Sequence, residues 1–206
     1  MTRLPGKWVV LATLFVVLVL VDQWTKFLAV ERLTRVFERS RDLSLVEKGR
    51  GFYAYQHLEP LATEPHYVWR PVWRMNYVEN PGAAWGLFRG FSEGFRNTFF
   101  KLISLGAVGF IVHYYRKLRD DQRFLQLALA FVLSGAVGNF VDRIARGYVI
   151  DFIEWYWWNR PDLRWPTFNV ADSLIVVGVA MLVIHPGQKR EAAAGPSPRR
   201  KEAGAA

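Results

Sequence analysis

Four stretches of this chain are apolar enough, and nearly long enough, to cross a lipid bilayer as helices. A hydrocarbon core about 30 Å thick takes roughly 20 helical residues to span. The first stretch, residues 8–30, reads WVVLATLFVVLVLVDQWTKFLAV. The second covers about 98–115, the third about 124–144 (FLQLALAFVLSGAVGNFVDRI), and the fourth 168–184 (FNVADSLIVVGVAMLVI). Across the chain 51% of residues are hydrophobic, and they are gathered into these blocks rather than spread at the period of a globular core. An all-α membrane protein with four transmembrane helices is the expectation. The first block begins like a signal peptide, but no small-x-small cleavage site closes it and Asp22 and Lys26 follow, so it is read as an uncleaved span.

Basic residues set the expected orientation. Arg3 and Lys7 precede the first helix, Arg116, Lys117, Arg119 and Arg123 crowd the link between the second and third, and Lys189, Arg190, Arg199, Arg200 and Lys201 follow the fourth. The positive-inside rule makes all three segments cytoplasmic. On this reading the formal charge of +9 is largely topological, and no nucleic-acid partner is expected. The connections at about 31–97 and 145–167 then face outward. Residues 1–185 form one four-helix domain with an outer insertion at about 31–97, in which the part from 73 to 85 suits a small β element at the membrane surface. Residues 186–206 have little to bury and read as a disordered cytoplasmic tail.

In that topology the polar intramembrane residues fall at one depth. Asp22 and Lys26 share a face near the outer end of helix one, Asn139, Asp142 and Arg143 near the outer end of helix three, and Asn169 and Asp172 sit in the outer turn of helix four. Asp151 lies on the outer connection between GYVI and FIEWYWW. Charges in hydrocarbon cost roughly 2.5–3.5 kcal/mol each on insertion scales, so a cluster needs a reason. Duller roles exist for each. Asp22 and Lys26 suit an i,i+4 salt bridge, Asp142 and Arg143 a structural ion pair, and Asn169 a helix N-cap. Gly135 and Gly138 suit close helix packing, and the aromatic run 155–158 an interfacial anchor.

Chemistry suggests a further role. Two carboxylates held together share a proton, which leaves one base and one acid at neutral pH. Such a pair can activate water and protonate a peptide carbonyl without a covalent intermediate. Asp172 needs a partner, and Asp151 and Asp142 are the candidates; Asp142 has an adjacent arginine to keep it ionised, which favours Asp151. With no cysteine and four scattered histidines, neither a metal nor a cofactor is expected. A serine–lysine dyad drawn from Ser134, Ser173 or Lys26 is the lesser catalytic alternative. The non-enzymatic alternative, a transporter or scaffold, would place polar residues through the whole bilayer depth.

Four ordered segments carry a resemblance: VDQWTK, NYVENPGAAWGLF, GAVGNFVDRIARGYVIDFI and FNVADSLIVVGV. Together they resemble the motif blocks of lipoprotein signal peptidase, also called signal peptidase II. The resemblance implies a bacterial inner-membrane aspartyl endopeptidase. Its partners would be lipid-modified prolipoproteins, cut just before a diacylglyceryl-bearing cysteine, and membrane lipids; a monomer with its site near the periplasmic face is expected. Carried over by motif, Asp151 and Asp172 are the catalytic pair. Asn139, Asp142, Arg143 and Asn169 support them, Asp22 and Lys26 hold the site from helix one, and Asn80, Gly82 and Ala83 belong to an outer strand element that cradles substrate. Trp85 and Ser134 depart from the pattern conservatively, and the stretch at about 31–74 is longer than the blocks require.

Overall fold

The computed structural model describes residues 6–38, 42–82 and 90–184. Three of its helices, α1 (Lys7–Leu33), α3 (Glu93–Lys117) and α4 (Arg123–Ala145), are long and apolar enough to cross a membrane. At 1.5 Å per residue they run about 35–40 Å, more than the hydrocarbon thickness. The protein's own interior covers only 17% of α1's most apolar window and 6% of α3's, so their side chains have lipid as their natural solvent. The corresponding window of α4 is 56% buried, because α1, α3 and α5 (Val170–Val183) all pack on it. Among the described residues α5 has 14 residues, about 21 Å, so the fourth expected span falls short of the length needed to cross alone.

Small residues set how closely α4 approaches its neighbours. A Cβ on Gly135 would lie 2.3 Å from the carbonyl oxygen of Ala171, and one on Gly178 2.7 Å from that of Ala128. At one end of the bundle the Tyr115 hydroxyl donates to the Lys7 carbonyl at 2.6 Å, and the Lys7 ammonium donates to the carbonyls of Arg116 and Leu118 that end α3. The start of α1 therefore meets the end of α3, and the polar residues of α1, α4 and α5 collect at the opposite end.

A four-stranded antiparallel sheet in the order β1 (His66–Trp69), β2 (Trp73–Asn80), β3 (Val149–Trp157), β4 (Arg160–Arg164) sits over that end. The expectation placed the β element between helices one and two alone. Half of it instead comes from the connection between α4 and α5, where VIDFIEWYW forms β3 rather than a loop. β-Branched and aromatic residues favour strand there, and β2 supplies the partner, with Val78 opposite Asp151 and Asn80 opposite Val149. A one-residue register shift between Met75 and Val78 bends β2. The other addition is α2 (Leu45–Ala54), opened by a capping box in which the Ser44 side chain and the Glu47 backbone and carboxylate bond reciprocally. Phe27 and Val30 of α1, Phe52 of α2, Tyr77 of β2 and Ile150 and Phe152 of β3 form one buried apolar cluster that fixes the sheet on the helices. The 186–206 tail and residue 85 lie outside the described residues.

Candidate active site

Asp151 and Asp172 reach the same place from β3 and from the first turn of α5, and three asparagine amides hold them. Asn169 Nδ2 donates to Asp151 Oδ1 at 2.7 Å, and Asn80 Nδ2 to Asp151 Oδ2 at 2.9 Å. Asn139 Nδ2 donates to Asp172 Oδ1 at 2.7 Å, and the Asn169 backbone N–H to Asp172 Oδ2 at 3.2 Å. Each carboxylate oxygen of the pair thus accepts a hydrogen bond, and Asn169 touches both carboxylates.

Each amide is oriented by what its own oxygen accepts. Asn169 caps α5, taking the Asp172 N–H at 2.9 Å, so its NH₂ turns toward Asp151. Asn139 Oδ1 accepts from the Lys26 ammonium at 3.0 Å, and its NH₂ turns toward Asp172. Asn80 Oδ1 accepts the Gly82 N–H at 2.9 Å. Gly82 stands at φ +94°, and a Cβ there would lie 2.2 Å from the Phe100 ring, so only glycine fits.

Below this layer lies a buried charge network. Lys26 Nζ is 2.9 Å from Asp22 and 2.8 Å from Asp142, and Arg146 Nη1 is 3.2 Å from Asp142. Two acids and two bases balance, as full burial demands. Gln23 Nε2 bridges both acids at 3.1 Å, and Gly138 has no Cβ because one would lie 2.5 Å from Asp22 Oδ2. Both acids also reach outward. Asp22 Oδ1, which no cation touches among the described residues, accepts the Ala171 N–H at 3.0 Å in the first turn of α5. Asp142 Oδ2, besides its Lys26 contact, accepts the Ile150 N–H at 3.3 Å beside Asp151. Both contacts fix the elements that bear the aspartate pair.

The expected Asp142–Arg143 ion pair is not formed. The cations on Asp142 are Lys26 and Arg146, since residue 146 follows 142 by one helical turn whereas residue 143 points elsewhere. Arg143 lies over the Phe100 ring at 5.4 Å, donates to the Asn139 carbonyl at 3.4 Å, and acts electrostatically on Asp172 and Asp151. Ala83 lies outside the described residues.

Burial and a neighbouring charge both act on Asp151. Asp151, 1% exposed, is pushed up from 3.8 to about 8, first by burial and then by the Asp172 carboxylate. Asp172 is half-buried.

The sequence matches a known family. Residues 14–186 fit the family model for signal peptidase (SPase) II. The chain belongs to the signal peptidase II family. It is therefore a peptide hydrolase of membranes. A lipoprotein signal peptidase of Anaeromyxobacter sp. (strain Fw109-5) is 75% identical over 91% of this chain and 89% of its own length. That of Anoxybacillus flavithermus (strain DSM 21510 / WK1) is 34% identical over 82% and 80%. Two solved structures of bacterial membrane enzymes share the fold of this peptidase. One has a TM-score of 0.60 at 24% identity, covering 96% of this chain and 94% of that one, and the other 0.58 at 25%, covering 85% and 90%.

Three of the residues that build this candidate site escape a reading from sequence alone. Gln23 sits inside the VDQWTK block between Asp22 and Lys26, Gly138 is explained there by packing only, and Arg146 follows Asp142 at i+4. That spacing was the available signal for Arg146.

Proposed function

We propose that Asp151 and Asp172 are the catalytic dyad with which this signal peptidase II family member removes signal peptides from diacylglyceryl-modified prolipoproteins, cutting just before the lipidated cysteine. The observation that carries the reading is Asn169, whose amide and backbone N–H bind the two carboxylates at once. With Asp151 keeping its proton up to about pH 8, the pair holds an acid and a base at neutral pH. One aspartate deprotonates water as it attacks the scissile carbonyl, and the other protonates the carbonyl oxygen. The tetrahedral intermediate then collapses as a proton passes to the leaving amine. Arg143 faces the developing charge, Asn139 and Asn80 orient the carboxylates, and Asp22, Lys26 and Asp142 hold the elements that bear them.

The placement belongs to the same proposal. Four spans rest on the four apolar stretches of the sequence, although the described part of α5 is short for a span. The basic flanks of the helices support cytoplasmic termini and a site at the periplasmic face of the inner membrane. Residues 1–185 act as one protease unit and as a monomer. A substrate held by its lipid and by an apolar signal helix cannot be lifted cheaply into water, since each buried CH₂ contributes about 0.8 kcal/mol. The transporter or scaffold reading loses its ground with the family assignment.

Cleavage of a diacylglyceryl-modified prolipoprotein by equally expressed wild type, Asp151→Asn and Asp172→Asn in the same membranes tests this. Product from wild type alone is expected; normal turnover by either variant removes that residue from the dyad.

A further inference from the structure

A cavity of about 530 Å³ lies beside the catalytic cluster without belonging to it. Leu28 and Ala29 of α1, Met75 of β2 and Phe152 of β3 line it. Phe152 directly follows Asp151, and successive strand residues face opposite ways. Asp151 turns to the asparagines, whereas Phe152 turns to the apolar cluster against α1. The volume falls within the ~300–1,000 Å³ usual for small-ligand sites.

Two exposed charges of opposite sign also line this cavity: Arg32 in the last turn of α1 and Glu64 just before β1. They do not pair with each other, and among the described residues neither side chain has an ion-pair partner. Nearby charges behave differently. Glu31, next to Arg32, is taken by Lys48 at 2.7 Å, and Lys26 is fully engaged inside the site. An apolar trough with an unused cation and an unused anion is complementary to a molecule carrying a hydrocarbon chain and both charges.

We propose that this cavity binds a zwitterionic glycerophospholipid with a phosphoethanolamine headgroup, its phosphate on Arg32, its ammonium on Glu64 and an acyl chain along Leu28, Ala29 and Phe152. Guanidinium and phosphate match as a charge-assisted, bidentate pair. A primary ammonium donates to a carboxylate as a quaternary one cannot. Arg32 ends a helix long and apolar enough to span the membrane, so the headgroup lies at the interface while the chain follows the helix inward. An anionic phospholipid would leave Glu64 facing negative charge, and the uncharged diacylglyceryl group of a prolipoprotein would use neither residue. The inference needs the chain to lie in a membrane, but not the assignment of Asp151 and Asp172.

Native mass spectrometry of the full-length protein in detergent, titrated separately with phosphatidylethanolamine, phosphatidylglycerol and diacylglycerol, provides the test. Wild type and Asp151→Asn should both bind phosphatidylethanolamine about tenfold tighter than either other lipid. Arg32→Gln should lose about tenfold of that binding, and Glu64→Gln should lose the preference over phosphatidylglycerol. Equal binding of all three lipids, or no effect of either substitution, overturns the proposal. One-for-one displacement of the bound phospholipid by a diacylglyceryl-cysteine peptide overturns it too, and gives the cavity to the substrate.

Discussion

Asp151 should make the protein less stable as pH rises, and replacing it with asparagine should remove that dependence. Its carboxyl is held at about 8 in the fold against an ordinary value of 3.8. Between those values the folded chain keeps a proton that the unfolded chain has released, so the contribution is complete below about pH 4 and is lost as pH climbs toward about 8. The slope approaches 1.4 kcal/mol per pH unit. From about pH 5.5 to about pH 7.5 the loss is about 3 kcal/mol, or roughly 5–11 °C in melting temperature for a chain of this size. Asp151→Asn cannot titrate, and every other titrating group is common to both proteins. The difference between their melting curves, followed by intrinsic fluorescence in detergent across that range, therefore reports Asp151 together with its coupling to Asp172. Asparagine also shifts the absolute stability through its altered hydrogen bonds, so the slope rather than the offset is diagnostic. Parallel curves for the two proteins would refute the account of Asp151 as a carboxyl kept protonated by burial and by Asp172.

Three further outcomes are expected. Lys26→Met strands Asp22 and Asp142 beside a single arginine and should destabilise by about 3–5 kcal/mol. Adding Asp142→Leu removes a charge of the other sign and should recover part of that loss in thermal melts; no recovery would mean that packing, not charge balance, is at stake. Gly82→Ala meets both the φ of +94° and the Phe100 ring, which displaces Asn80 and should lower kcat on the order of a hundredfold while the protein stays folded. Phe100→Ala added to it should restore only part of the rate, because the backbone strain persists; an unimpaired Gly82→Ala enzyme would exclude the Asn80 contact from catalysis. Arg146→Gln loses both the Asp142 pair and the bonds to the Phe52 carbonyl, at 2.8 Å for Nη2. Hydrogen exchange over α2 should then speed up, and unchanged protection there would count against Arg146 as its anchor.

Much of the site was legible because polar residues in hydrocarbon are conspicuous. Asp22, Lys26, Asn139, Asp142, Asn169 and Asp172 all stand out against apolar helices at helical spacings, and their common depth follows from helix direction alone. The partners of Asp142 were less legible. Adjacency in sequence pointed to Arg143, but neighbours in a helix diverge by about 100°, and the cations that reach Asp142 come from one turn on and from another helix. The strand nature of residues 149–157 was hidden for another reason. A continuous apolar and aromatic run has no alternation to read until its partner is known, and β2 lies some seventy residues earlier. The start of α2 was within reach, since SLVE spells a capping box. Arg32 and Glu64 gave no signal, because it takes the fold to bring them to one cavity.

The buried charges of α1 and α4 also bear on how such a chain enters a membrane. Each helix carries its own neutralising partner one turn away, Asp22 with Lys26 at 2.9 Å and Asp142 with Arg146 at 3.2 Å. A lone intramembrane charge resists transfer from the translocon into lipid, whereas an acid and a base on one helical face can go across as an internally compensated unit. Only when the two helices dock does Lys26 reach Asp142, at 2.8 Å, and join the pairs into one network. Biogenesis and assembly thus draw on the same four side chains in succession, first as two self-contained dipoles and then as the seam that locks the bundle.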